Sequence, residues 1–85
     1  MSKREKRLQK LRQNPNDVSM DELEQVLNDF GIYRDHATGS HHIFRYNLNG
    51  KRNALSIPYA RPVKSKYVKD AINIIDQISE EENNG

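Results

Sequence analysis

Three histidines, His36, His41 and His42, stand within seven residues of one another and are the densest proton-transfer chemistry in the chain. An unperturbed imidazole titrates near pH 6.5 or so, and therefore takes up and returns a proton close to neutrality. Arg34, Arg45 and Lys51 lie nearby in sequence and are of the type that steadies an anionic phosphate. Gly39 and Ser40 directly precede His41. A glycine there permits a tight turn or the close approach of another backbone, and either amide can bind a phosphate oxygen. Histidines also bind metals, and His36 and His41 could chelate together. No third ligand is evident, however, and without cysteine there is neither a thiolate zinc site nor a disulfide framework.

The distribution of charge points to the kind of partner. Residues 1 to 13 carry Lys3, Arg4, Lys6, Arg7, Lys10 and Arg12 against Glu5 alone, whereas residues 14 to 38 carry six acids against Arg34. Residues 39 to 69 then hold seven basic residues, Arg45, Lys51, Arg52, Arg61, Lys64, Lys66 and Lys69, with no acid, and the remainder is purely acidic. A net charge of +2 conceals these blocks. A long stretch cleared of carboxylates suits a polyanion, because each Lys or Arg at a phosphate releases condensed counterions. The plainer reading is chance clustering on a solvated face.

Elements that could position these groups follow from hydrophobic spacing. Residues 3 to 13 are good helix formers, with Leu8 and Leu11 as a thin apolar stripe that must lean on the rest of the domain or fray. Asn14-Pro15-Asn16-Asp17 breaks that helix. Ser19 and Glu22 form a capping-box pattern, and Leu23, Val26, Leu27 and Phe30 follow on one helical face until Gly31 ends it as a left-handed cap. Three strands are expected over 32–37, 40–47 and 52–58. Asn49-Gly50 is a strong two-residue hairpin turn, and Thr38-Gly39 a weaker one. Residues 59 to 64 read as a loop, and Ser65 can cap a last helix whose buried stripe is Val68, Ala71, Ile72, Ile75 and Ile78. Residues 80 to 85 read as a disordered acidic tail. The expected class is α+β.

With those turns, Phe44 faces Leu55, His42 faces Ile57, His36 faces His41 and Tyr33 faces Phe44. Alternation along the strands then puts Tyr33, His42, Phe44, Leu55 and Ile57 on the face toward the helices. Arg34, His36, His41, Ile43, Arg45, Ala54 and Ser56 fall on the opposite, polar face. A bulge in either hairpin would flip part of this assignment.

The string Gly39-Ser40-His41-His42-Ile43-Phe44-Arg45 resembles the Gly-Ser-His signature of the HicA toxins, messenger-RNA-cutting partners of HicB antitoxins. The resemblance runs from about Ser19 to Ile78 and includes Phe30-Gly31, Ile57-Pro58 and Arg61-Pro62-Val63-Lys64. It implies a double-stranded-RNA-binding-domain-like fold over residues 19–79, a helix, three antiparallel strands and a helix, with residues 1–18 as a basic helical extension. It also implies a metal-independent endoribonuclease, an mRNA interferase, with no cofactor and a HicB-like antitoxin as partner. The family's histidine maps onto His41, with His42 as fallback; apart from the family, His36 is a candidate second proton shuttle on the condition that it sits opposite His41. Gly39, Ser40, Arg34, Arg45, Lys51, Lys64, Lys66 and Lys69 are the candidates for binding RNA phosphates. RNA supplies its own nucleophile, the 2′-hydroxyl, so a base and a cation suffice.

Two other readings stay open: a non-catalytic RNA-binding module of the same fold, and a small protein–protein interaction domain. At 85 residues there is room for one modest core. No run is apolar enough for a membrane span, and no apolar stretch follows the basic start, so a cytoplasmic protein is the expectation. A small basic enzyme gives no strong reason for an oligomer, so it is expected to be monomeric when free.

Overall fold

The computed structural model describes residues 2–84. Its order is α1 (Lys3–Gln13), α2 (Met20–Asp29), β1 (Tyr33–Thr38), β2 (His41–Leu48), β3 (Lys51–Pro58) and α3 (Ser65–Asn84). The strands form one antiparallel sheet in the order β1-β2-β3, with the helices on one of its faces. The chain is thus α+β, as the periodicity requires. Among the described residues no helix is long and apolar enough to cross a membrane.

The caps that define α2 are legible residue by residue. The Ser19 hydroxyl accepts from the Glu22 amide at 3.1 Å, and donates to the Glu22 carboxylate at 3.2 Å. At the other end, the Gly31 amide donates to the Asn28 carbonyl and the Ile32 amide to the Leu27 carbonyl, with Gly31 at φ +82°. This is the Schellman arrangement, and the buried Leu27 and Ile32 are the apolar pair that accompanies it. Helix α3 begins at Ser65, and the Lys64 carbonyl accepts the first helical bond from Val68, so the cap position is Lys64 rather than Ser65.

A single core joins all the helices to the sheet. Leu23, Val26 and Leu27 of α2, Phe44, Leu55 and Ile57 of the sheet, and Val68, Ala71 and Ile75 of α3 are buried together. Leu8 and Leu11 belong to the same cluster, so α1 is part of the domain rather than an appendage to it. Arg7 reinforces the seat, bonding the half-buried Asp29 carboxylate at 2.9 and 3.4 Å. Arg12 pairs with Asp76, Lys10 with Glu22, and Arg4 with Glu82. The expectation of a disordered tail is corrected: α3 continues through 80–84, where Glu81 accepts from the Asn49 amide at 3.0 Å and Glu82 meets Arg4. Gly85 lies outside the described residues.

The two hairpins compare differently with expectation. Between β2 and β3, Leu48 faces Lys51, Phe44 faces Leu55 and His42 faces Ile57 about an Asn49-Gly50 turn with both residues at positive φ, as a type I′ turn demands. Between β1 and β2 the turn is Gly39-Ser40 instead of Thr38-Gly39, so Thr38 faces His41 and His36 faces Ile43. A bulge at Asp35 shifts the register again, leaving Arg34 opposite Phe44 and Tyr33 opposite Arg45. The bulge overturns two assignments made from alternation alone. Tyr33 leaves the core and stands 61% exposed. Arg34 turns to the helix side, 3.9 Å from Glu24 of α2.

Candidate functional site

Moving a two-residue turn along by one residue shifts the pairing by two, so the faces of the residues next to the turn survive. His41 and His36 therefore share the uncovered face of the sheet, though as diagonal neighbours rather than a facing pair. Such positions lie about 7–8 Å apart across an antiparallel pair. Both residues are exposed. His36 Nδ1 is 2.8 Å from the Asp35 carboxylate, and that same carboxylate is 3.6 Å from the Arg45 guanidinium. The bulge is what gathers the three, since it adds Asp35 to the strand between Arg34 and His36. The hydrogen bond with His36 holds the Asp35 carboxyl below the usual carboxylate range, and Arg45 adds to this.

His42 has a different setting. It is half-buried on the helix side, its ring stacked on Tyr59 with centroids 5.9 Å apart and an angle of 23°. Its Nδ1 is buried without a hydrogen-bond partner, alone in this among the side-chain atoms of the described residues. The strand alternation carries past Pro58: the Tyr59 amide donates to the Ser40 carbonyl at 2.7 Å, which keeps Tyr59 on the face of Ile57 and His42. Arg61 Nε donates to the Tyr59 hydroxyl at 2.7 Å. A shallow cleft of about 450 Å³ opens here, between Asp21, Glu24 and Asn28 of α2 on one side and Arg34, His42 and Tyr59 on the other.

The remaining predicted residues are dispersed. Gly39 has φ +59°, and the space a Cβ would occupy there is empty to 4 Å, so its backbone conformation rather than crowding calls for glycine. Ser40 follows it in the turn, exposed to solvent. Lys51 is at the far end of the 8-residue strands, beside the Asn49-Gly50 turn. That puts it roughly 24 Å from His41 along the sheet, so it cannot serve the same phosphate. Lys64, Lys66 and Lys69 are exposed around the start of α3. Among the described residues no group of three His, Asp or Glu side chains could hold a metal ion.

The ion pairs explain the charge blocks. Four basic residues of α1 are matched by acids of α2 and α3. Of the seven cations in residues 39 to 69, only Arg45 lies within ion-pairing distance of a carboxylate among the described residues. Lys3 and Lys6 of α1 have no such partner among the described residues either, and the rest of the positive charge not locally balanced lies mostly in the sheet and around the start of α3. Sequence reasoning passed over Asp35, Tyr59 and Arg61. The signal for the last two was the i, i+2 spacing Ile57, Tyr59, Arg61, which extends the strand's inward face; nothing local marks the bulge at Asp35.

Comparison with protein-family models, with curated proteins and with solved structures finds no match to this chain.

Proposed function

We propose that this protein is a HicA-like toxin: a cytoplasmic, metal-independent endoribonuclease on a double-stranded-RNA-binding-domain-like frame, restrained by a HicB-like antitoxin. The observation that carries the reading is the pair His36 and His41 on one open face, with Asp35 bonded to His36 and Arg45 beside it. The Gly39-Ser40-His41-His42 string and the unbalanced cations of residues 39 to 69 support it.

In this mechanism His41 takes the proton of the 2′-hydroxyl as that oxygen attacks the adjacent phosphorus. His36, oriented by Asp35, gives a proton to the departing 5′-oxygen. The products are a 2′,3′-cyclic phosphate and a free 5′-hydroxyl. Arg45, held beside Asp35 and His36, offsets the charge developing on the phosphoryl oxygens. The antitoxin covers His41 and presents an acidic surface to the same cations.

The test is incubation of the purified protein with mixed-sequence single-stranded RNA in EDTA, beside His41→Ala and His42→Ala. Cleavage falling about 10²- to 10⁴-fold in His41→Ala, the range for a lost general base, with RNA binding retained, is the expected outcome. A substrate with 2′-deoxy at the scissile nucleotide should be inert. Loss only in His42→Ala would transfer catalysis to the helix side of the sheet. RNA bound but uncut by every form would leave a non-catalytic RNA-binding module.

A further inference from the structure

The cleft on the helix side of the sheet does not take part in the proton transfers assigned above, yet its construction is unusual for a surface of this size. Tyr59 is 44% exposed although it lies on the inward face of its strand. Its ring is braced rather than free: His42 is stacked on it with centroids 5.9 Å apart. Arg61, which bonds its hydroxyl, holds its guanidinium carbon over the ring at 6.0 Å from the centroid, near the edge, where it can also stack on an incoming base. His42 leaves a buried nitrogen unpartnered to keep its ring there. Such an atom costs stability and has no packing benefit over an apolar residue. A braced, half-exposed aromatic is what stacks on a nucleobase. The other walls are polar: Asp21, Glu24 and Asn28 from successive turns of α2, and Arg34 from β1.

We infer that this cleft is a base-recognition subsite, in which Tyr59 stacks on one base of a single-stranded RNA and the α2 carboxylates read its edge, with guanine as the base that fits. The inference rests on the RNA-cleaving reading and adds a specificity to it. A carboxylate accepts hydrogen bonds and cannot donate them. Guanine offers two adjacent donors on its Watson–Crick edge, N1–H and the N2 amino group, which match the two oxygens of one carboxylate. Adenine and cytosine offer an amino group beside an acceptor nitrogen that would face the second oxygen, and uracil offers a single imino donor between two carbonyls. Asp21 is the exposed carboxylate of the pair, while Glu24 is half-buried and shared with Arg34. The two sites are one step apart on the chain, since His41 and His42 are consecutive and point to opposite faces. An RNA strand passing round the Gly39-Ser40 turn therefore sets a base against Tyr59 and the neighbouring phosphate before His41.

The test uses the full chain and uncleavable 2′-O-methyl hexamers of uridine carrying one central G, A, C or U, with binding followed by fluorescence anisotropy. The G hexamer should bind about tenfold tighter than the all-U hexamer. Asp21→Asn should erase that advantage. Tyr59→Ala should weaken all four hexamers, by about 5- to 150-fold as for other lost base stacks, and Tyr59→Phe should restore them. Equal binding of all four hexamers by the wild type would overturn the subsite and leave the RNA reading standing. An advantage for G that persists in Asp21→Asn would overturn the assigned carboxylate contact. Absence of binding to any hexamer would overturn both readings together.

Discussion

His41 and His42 are adjacent in the chain and face opposite media. One stands in solvent with a second histidine diagonal to it, and the other is half-buried on the helix side of the sheet against Tyr59. At this scale the most informative single group is Asp35. Its side chain is 43% exposed and touches both His36 and Arg45, and the hydrogen bond with His36 lowers its pKa. A carboxyl whose folded pKa is depressed lends its contribution above the unfolded value of about 3.9, and loses it as pH falls through the lower folded value. The His36–Asp35–Arg45 contact is therefore complete at neutral pH and dissolves only in acid below that range. An NMR titration of the Asp35 side-chain carboxyl carbon should show a midpoint below that of an unperturbed aspartate, moving back toward it in His36→Ala.

At the scale of elements, the turns decide which side chains share a face. Gly39 sits at φ +59°, where a residue with a Cβ is strained by about 1–2 kcal/mol. Gly39→Ala should lower the stability measured by urea unfolding by about that amount, with the burial of the core unchanged. The β2–β3 register was legible in the sequence because Asn49-Gly50 fits one turn type in which both residues take positive φ. The β1–β2 register was not, because one glycine beside Thr38 and Ser40 can occupy either central position of a two-residue turn. Type II′ requires it first, and here Gly39 is first with Ser40 after it. The faces of His36 and His41 are the same in either turn, whereas those of Tyr33 and Arg34 depend on a bulge that no hydrophobic periodicity announces. The outward His41 of the candidate site was thus readable, while the Asp35 contact and the Tyr59 cleft depended on tertiary placement. The continuation of α3 through 80–84 was hidden for a similar reason. Its acids look like a solvated tail until Arg4 and the Asn49 amide stand beside them. Helix α1 gives a second stability test. Leu11 is 2% exposed, and Leu11→Ala should cost about 2–5 kcal/mol in the same unfolding experiment, far more than a frayed extension would.

Over the whole molecule, the cationic α1 and the cationic middle of the chain are not equivalent. The first sets four of its six cations against Asp29, Glu22, Asp76 and Glu82, and the second, Arg45 apart, pairs none of its own with a carboxylate among the described residues. On the proposed RNA-cleaving reading, affinity for RNA should fall with salt, and Lys64→Ala or Lys66→Ala should each reduce the slope of log affinity against log salt by about 0.7, the value for one phosphate contact on a single strand. Lys10→Ala and Arg12→Ala should leave the slope unaltered, although the latter removes a contact with α3. Glu81, 32 residues beyond Asn49, closes its carboxylate over the amide at the tip of the β2–β3 hairpin. A strand that slid by a single residue would exchange the surroundings of His41 and His42 along its entire length. The last turns of α3 act as a latch against that slip, so an acidic terminus distant from any proposed chemistry helps to decide which imidazole meets the solvent.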